Sequence, residues 1–301
     1  MNSPAEKLLY ENALWRLTTR GILRNGTEAT VEGGTLRISR NGAERTIELP
    51  KSVPAGFPRY VGDIPVLVAA YNGAAQELTA IRTEEGLLRA GASWQGVWTR
   101  DTAYAAALGG ALAAPEDFRR SLMSRVRDGI IMQDTGTGGG WPVSTDRVAW
   151  ALGAWAVYRA TGDREWLEQV QGDRSWLEWC AQVLVATLEQ DARVLPQDTP
   201  LQPGETSFID WREQSYPDWT TPAQIGAGFA FGTNVVHAVC RRLHMRMLRL
   251  LGRQDEADRR EEEYDTLVES INKTFWSRAN QQYGMLYSPH GYLDERVDSL
   301  G

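Results

Sequence analysis

Three stretches of this chain carry residue types and spacings suited to chemistry. The first is Trp98-Thr99-Arg100-Asp101, preceded by the small-residue loop Ala90-Gly91-Ala92-Ser93-Trp94-Gln95-Gly96 and followed by an Ala-rich apolar run. An indole covers the apolar face of a pyranose, and a guanidinium and a carboxylate hydrogen-bond its hydroxyls. The same residues have a plainer use, an Arg–Asp pair that caps a helix with Trp98 as a core anchor. The second stretch is Ser207 to Trp219, where Asp210, Glu213 and Asp218 alternate with Trp211, Tyr216 and Trp219. A carboxyl packed against aromatic rings loses hydration, so its pKa rises and it can hold a proton near neutral pH. General acid catalysis requires such a group. The plainer reading is a surface loop pinned by Arg–carboxylate pairs. The third stretch, Gln133 to Pro142, holds four glycines and Trp141. No lysine follows the glycines and no strand-to-helix setting surrounds them, which argues against a phosphate cradle. They suit either close approach of Trp141 and the backbone to a ligand or a flexible turn.

The elements that must position these stretches are mostly helical. Leu67, Ala70, Tyr71, Ala74, Leu78 and Ile81 recur at helical spacing. Thr102 to Ala113 reads as a second helix, small, apolar all round and therefore buried. Asp117 to Asp128 is a third, and apolar stripes through Trp155, Cys180, Cys240 and Ile271 mark four more. Gly162 and Gly252 stand where helices end, each with an Asp soon after to start the next. Those joints are short, whereas 82–98, 129–144 and 191–222 are long, and long loops are where function concentrates. Ahead of the helices the texture differs. Ala5 to Thr19 reads as a short helix. Asn25-Gly26, Gly33-Gly34 and Asn41-Gly42 then separate short runs, a hairpin pattern over residues 21–50. Pro50, Pro54 and Pro58 form a stiff linker. The expected domains are 1–60, an appendage with its linker, and 61–301, the helical part.

Length and composition bound the rest. The chain has 301 residues, 42% of them hydrophobic, enough for a large core. A net charge of -7 argues against nucleic acid or an anionic membrane surface as partner. No stretch is long and apolar enough to span a bilayer, and Met1 to Arg20 shows no secretion signal, so the expected location is cytoplasmic unless the true start lies further upstream. Cys180 and Cys240 fall on apolar helical stripes and read as core thiols. His237, His244 and His290 lack ligand spacing, so neither a metal nor a cofactor is expected. Twelve tryptophans are many for this length, and a surplus near glycine-rich loops is one way carbohydrate clefts are lined.

Two tetrapeptides carry a resemblance. Trp98-Thr99-Arg100-Asp101 matches the one that glucoamylases place after their first barrel helix. Ser207-Phe208-Ile209-Asp210, followed by Asp218-Trp219, Pro222 and Ile225-Gly226, resembles that of the debranching-type glucosidases. Over residues 62–301 the chain thus resembles the six-hairpin glycoside hydrolases. The resemblance implies a mainly α fold, an incomplete (α/α)6 toroid of helical hairpins with a small N-terminal β appendage. It implies an inverting glycosidase acting on terminal sugars. Arg100 and Asp101 would hold sugar hydroxyls, Trp98, Trp141 and Trp211 would form stacking walls, and Asp210 would be the general acid, with Glu213 competing for that role. Such a toroid needs twelve helices and the sequence accounts for seven, with Leu293 opening a possible eighth. The late loop that would supply the general base, roughly 6.5–9.5 Å from the acid, is missing. The chain therefore reads as an N-terminal piece, inactive or weakly active, that self-associates through exposed helix faces. The alternatives are a non-catalytic carbohydrate-binding protein, or another toroid enzyme such as a phosphorylase or epimerase.

Overall fold

The computed structural model describes residues 6–133, 146–162, 175–193, 195–196, 198–204 and 221–296. The chain divides into two compact units, Met1–Arg82 and Thr83–Gly301.

The first unit is a six-stranded antiparallel meander with one helix. Its strands are β1 (Leu8–Glu11), β2 (Trp15–Thr18), β3 (Gly21–Arg24), β4 (Thr27–Glu32), β5 (Thr35–Arg40) and β6 (Ala43–Glu48), paired in chain order. Three of its connections are two-residue turns with both central residues at positive φ: Asn25 and Gly26 (47° and 73°), Gly33 and Gly34 (58° and 89°), Asn41 and Gly42 (50° and 79°). That geometry continues the natural strand twist and selects Asn and Gly, which tolerate it. It pins the registers Arg24↔Thr27, Glu32↔Thr35 and Arg40↔Ala43. The short helix expected over Ala5 to Thr19 is instead the pair β1–β2. The Asn12 carboxamide accepts from the amides of Leu14 and Trp15, each at 2.8 Å, and turns the chain. Trp15 then lies opposite Arg24, whose guanidinium stands 4.1 Å from the indole centroid. Helix α1 (Pro65–Ala80) belongs to this unit. Asn72, Gln76 and Tyr71 tie it to the proline-rich segment by donating to the carbonyls of Pro50, Ser52 and Pro58.

The second unit is helical with short strands between helices. Helix α2 (Thr99–Ala105) runs through a π turn at Ala106–Gly110 into α3 (Ala111–Ala113), followed by α4 (Pro115–Ser124) and the small hairpin of β7 (Val126–Arg127) and β8 (Ile130–Ile131). A 3-10 turn, Asp146–Ala149, leads into α5 (Trp150–Thr161), and α6 (Trp176–Ala192) starts on Ser175, whose hydroxyl accepts from the Glu178 amide. Then come α7 (Pro222–Ala227), β9 (Phe229–Ala230), α8 (Phe231–Leu250), α9 (Gln254–Phe275), β10 (Trp276–Ser277), β11 (Gln282–Tyr283), β12 (Leu286–Tyr287) and β13 (Leu293–Asp294). Strands β9, β12 and β13 form one antiparallel sheet, so Leu293 opens a strand and not a further helix.

Helix α5 lies at the middle of the packing, against α2, α4, α6 and α8. Trp150 and Trp176 are fully sealed and Trp179 nearly so, with ring centroids 5.4–6.2 Å apart. The two fully sealed indole N–H groups have partners: Trp150 donates to the Leu122 carbonyl at 2.9 Å and Trp176 to that of Ala154 at 3.1 Å. These three rings fill core. Both cysteines are buried free thiols, as expected. Burial lifts that of Cys240 to about 12, so it is inert. The second expected helix is not buried all round. Ala103, Ala106 and Ala111 face inward, while Leu108 and Leu112 are largely exposed, and Gly109 (φ 123°) breaks the helical path between them.

The (α/α)6 toroid is therefore corrected, and with it the resemblance to six-hairpin glycosidases. The chain opens on a six-stranded sheet, short strands interrupt its run of helices, and nothing among the described residues closes helical hairpins into a toroid. The physical reason is that a 3.6-residue period identifies which face of a helix is apolar, not which helix covers it. A tetrapeptide likewise constrains a loop and leaves the stacking order of helices free.

Candidate functional site

The segment Thr83 to Asp101 is built from short-range contacts anchored to α4. Leu88 is buried, and its amide donates to the Ser121 hydroxyl at 2.8 Å; that hydroxyl in turn donates to the Asp117 carbonyl. From this anchor the chain makes a closed excursion. The Ala90 amide bonds the Gly96 carbonyl at 2.9 Å, Gly91 and Trp94 form a bridge, and Arg89 donates to the Gln95 carboxamide at 2.7 Å. The excursion carries Trp94 outward, 58% exposed.

Trp98 follows as the N-cap of α2. Its backbone is extended (φ -110°, ψ 141°), and its carbonyl accepts the Thr102 amide at 3.0 Å. The Trp94 and Trp98 ring centroids are 5.6 Å apart with planes inclined at 54°, so the two indoles form an angled corner. Gly96 is required there: a Cβ at that position would stand 2.5 Å from Trp98 Nε1. Thr99, fully buried, fixes the start of the helix and accepts a long 3.4 Å bond from Arg125 Nε. In the first turn Arg100 is half-buried and Asp101 exposed. Asp101 near a helix N-terminus is favoured by the helix dipole, which accounts for its place without a ligand. Arg100 and Asp101 each have interaction partners already.

The structure thus brings Trp98, Arg100 and Asp101 together at one helix start and adds Trp94, which sequence reasoning missed as a site residue. The signal was present: Gly91 and Gly96 bracket Trp94 in a loop whose other residues are small or polar. Trp141, Asp210, Trp211 and Glu213 lie outside the described residues. Of the histidines, His237 and His244 are buried in α8 and His290 is exposed.

Sequence reasoning also missed the buried arginines of the helical unit, Arg119, Arg147 and Arg241. Arg147 donates to the Ile131 carbonyl (2.9 Å), the Gln190 carboxamide (2.5 Å) and the Asp191 carboxylate (2.8 Å). Thr187 completes that cluster by accepting the Ile131 amide at 3.0 Å. Arg241 lies on α8 and is 9% exposed. Among the described residues, no helix is long and apolar enough to cross a membrane. No protein-family model matches the chain, and a search of curated proteins gives no match.

Proposed function

We propose that this chain binds carbohydrate at the Trp94–Trp98 corner and that it hydrolyses the glycosidic bond of a terminal sugar. The observation that carries the binding half is the pair of indoles, 5.6 Å apart and inclined at 54°, directly before the guanidinium and carboxylate of Arg100 and Asp101. A pyranose has two apolar faces and a girdle of hydroxyls, and this set offers a complement to each. The catalytic half rests on the aromatic-flanked carboxylates of Ser207 to Trp219, with Asp210 as general acid, Glu213 as the alternative, and Trp141 and Trp211 as further walls.

The test has two arms. Titration of the tryptophan fluorescence with mono- and oligosaccharides reads binding. Gly96→Ala should weaken it about as much as Trp98→Ala does, because the added methyl displaces the Trp98 ring. Release of product from aryl glycosides and oligosaccharides reads hydrolysis, and Asp210→Asn should lower it by about 10²–10⁴-fold. Equal rates for wild type and Asp210→Asn would remove Asp210 from the reaction. Saturable binding without any turnover would leave a carbohydrate-binding protein, and absence of both would end the reading.

A further inference from the structure

Helices α6, α8 and α9 border a cavity of about 530 Å³, within the size range of small-molecule sites. One side of it is apolar, formed by Leu188, Ala192, Leu195 and Leu267. Arg241 lines it too, and its guanidinium is poorly matched. Its Nε and Nη1 have no hydrogen-bond acceptor among the described residues. The nearest carboxylate, Glu263, stands 4.0 Å from Nε, beyond bonding distance. Glu263 cannot readily turn toward it, because both its oxygens accept from Arg260 Nη1 at 2.7 Å. Asp191, whose charge also reaches Arg241, is held by Arg147 at 2.8 Å.

A guanidinium does not shed its proton to escape burial, so the charge persists and calls for an anion. The cavity also carries Glu189 and Glu262, but these are exposed and solvated, as is Arg259, whereas Arg241 is buried. The imbalance is therefore local: three arginines and three glutamates line the space, and Arg241 is the one among them that is largely buried with no acceptor within hydrogen-bond distance among the described residues. We propose that this cavity binds a small metabolite bearing an oxyanion, a phosphate or carboxylate group, with Arg241 as its buried counter-charge and the apolar wall receiving the rest of the molecule. The site is separate from the Trp94–Trp98 corner and does not depend on the carbohydrate reading.

Thermal unfolding and calorimetry of the whole chain test this, with inorganic phosphate and malonate as probes and chloride at equal ionic strength as control. A saturable rise in Tm with one of the two dianions is expected. The stronger of the two identifies the group as phosphate or carboxylate. Arg241→Met keeps an unbranched apolar stem, shorter than arginine, and removes the charge, and should weaken binding by about tenfold or more, since charge-assisted bonds are the strong ones. Arg259→Gln, at an exposed position, should weaken it by roughly twofold to fivefold and supplies the readout should Arg241→Met fail to fold. No saturable shift in wild type, an equal shift in Arg241→Met, or unchanged affinity in Arg259→Gln where Arg241→Met does not fold, would overturn the proposal.

Discussion

Arg147 and Arg241 are the same residue type, nearly equally buried, in the same helical unit, and they are accommodated in opposite ways. Arg147 has a backbone carbonyl, a carboxamide and a carboxylate within bonding distance. Arg241 has one carboxylate at 4.0 Å that is already committed elsewhere. Burying an ion costs several kcal/mol unless geometry and hydrogen bonds repay it. The first cluster returns that cost within the fold, tying β8, the 3-10 turn and α6 together. The second leaves part of it outstanding, and an unmatched buried charge beside a cavity points to a function where a matched one points to structure. A third solution lies on the same helix as Arg241. His244 is 1% exposed, and burial, aided by the charges of Arg260 and Arg253, pushes its pKa down to about 4, so it stays neutral.

These three treatments respond differently to substitution. The largest effect belongs to the matched pair. Arg147→Met leaves Asp191 charged and buried beside an apolar chain, and should cost about 3–5 kcal/mol in urea unfolding. A loss below about 1 kcal/mol would mean that Arg147 is no better matched than Arg241. Combining it with Asp191→Leu removes both charges and should recover most of the loss.

Next is acid sensitivity at His244. The unfolded side chain takes its proton near pH 6.5 and the folded one only near 4. Between those values the unfolded state binds more protons, so stability falls as pH drops through that window, by about 3 kcal/mol in all. His244→Leu cannot take up that proton. The stability difference between pH 7 and pH 4 should therefore be smaller in the variant than in wild type by about that amount. Equal differences would show that His244 is protonated in the fold as readily as out of it.

The smallest effects sharpen the contrast from the other side. Arg241→Met deletes a charge and breaks no bonded contact within hydrogen-bond distance, so stability without added anion should hold within about 1 kcal/mol or rise. Trp94→Ala should change stability by no more than about 0.5 kcal/mol, because the ring is mostly in solvent. Its sugar affinity should nonetheless fall by about 1 kcal/mol, roughly fivefold. A large stability loss there would make Trp94 a structural residue.

The hairpins were legible because their determinant is local. Asn-Gly and Gly-Gly at the turns specify positive φ whatever the rest of the chain does, and the registers follow. The long helices were legible for the same kind of reason, and Gly162 and Gly252 do end helices at positive φ. Residues 8–18 were misread because Leu8, Leu9 and Trp15 also satisfy a helical spacing. Pairing of β2 with β3, an interaction beyond the stretch, and the Asn12 turn within it overrode that spacing. The tryptophans divide likewise. Composition counts Trp150 and Trp176 with Trp94, yet the first two are sealed in the core and the last stands in solvent.

The order of residues alone thus determined where the Asn-Gly and Gly-Gly turns fall, which long stretches become helices, which thiols go inward, and that Trp98, Arg100 and Asp101 share one helix start. Each of these depends on backbone preference or burial pattern over a few neighbouring positions. Tertiary structure alone decided that short strands interrupt the helices and that no toroid closes among the described residues, that Arg147 meets Asp191 across 44 positions, and that Arg241 meets no such partner among the described residues. Those outcomes depend on which distant surfaces cover one another. Hydrophobic burial, being non-directional, requires that every apolar face be covered and leaves the choice of partner to the packing of the whole.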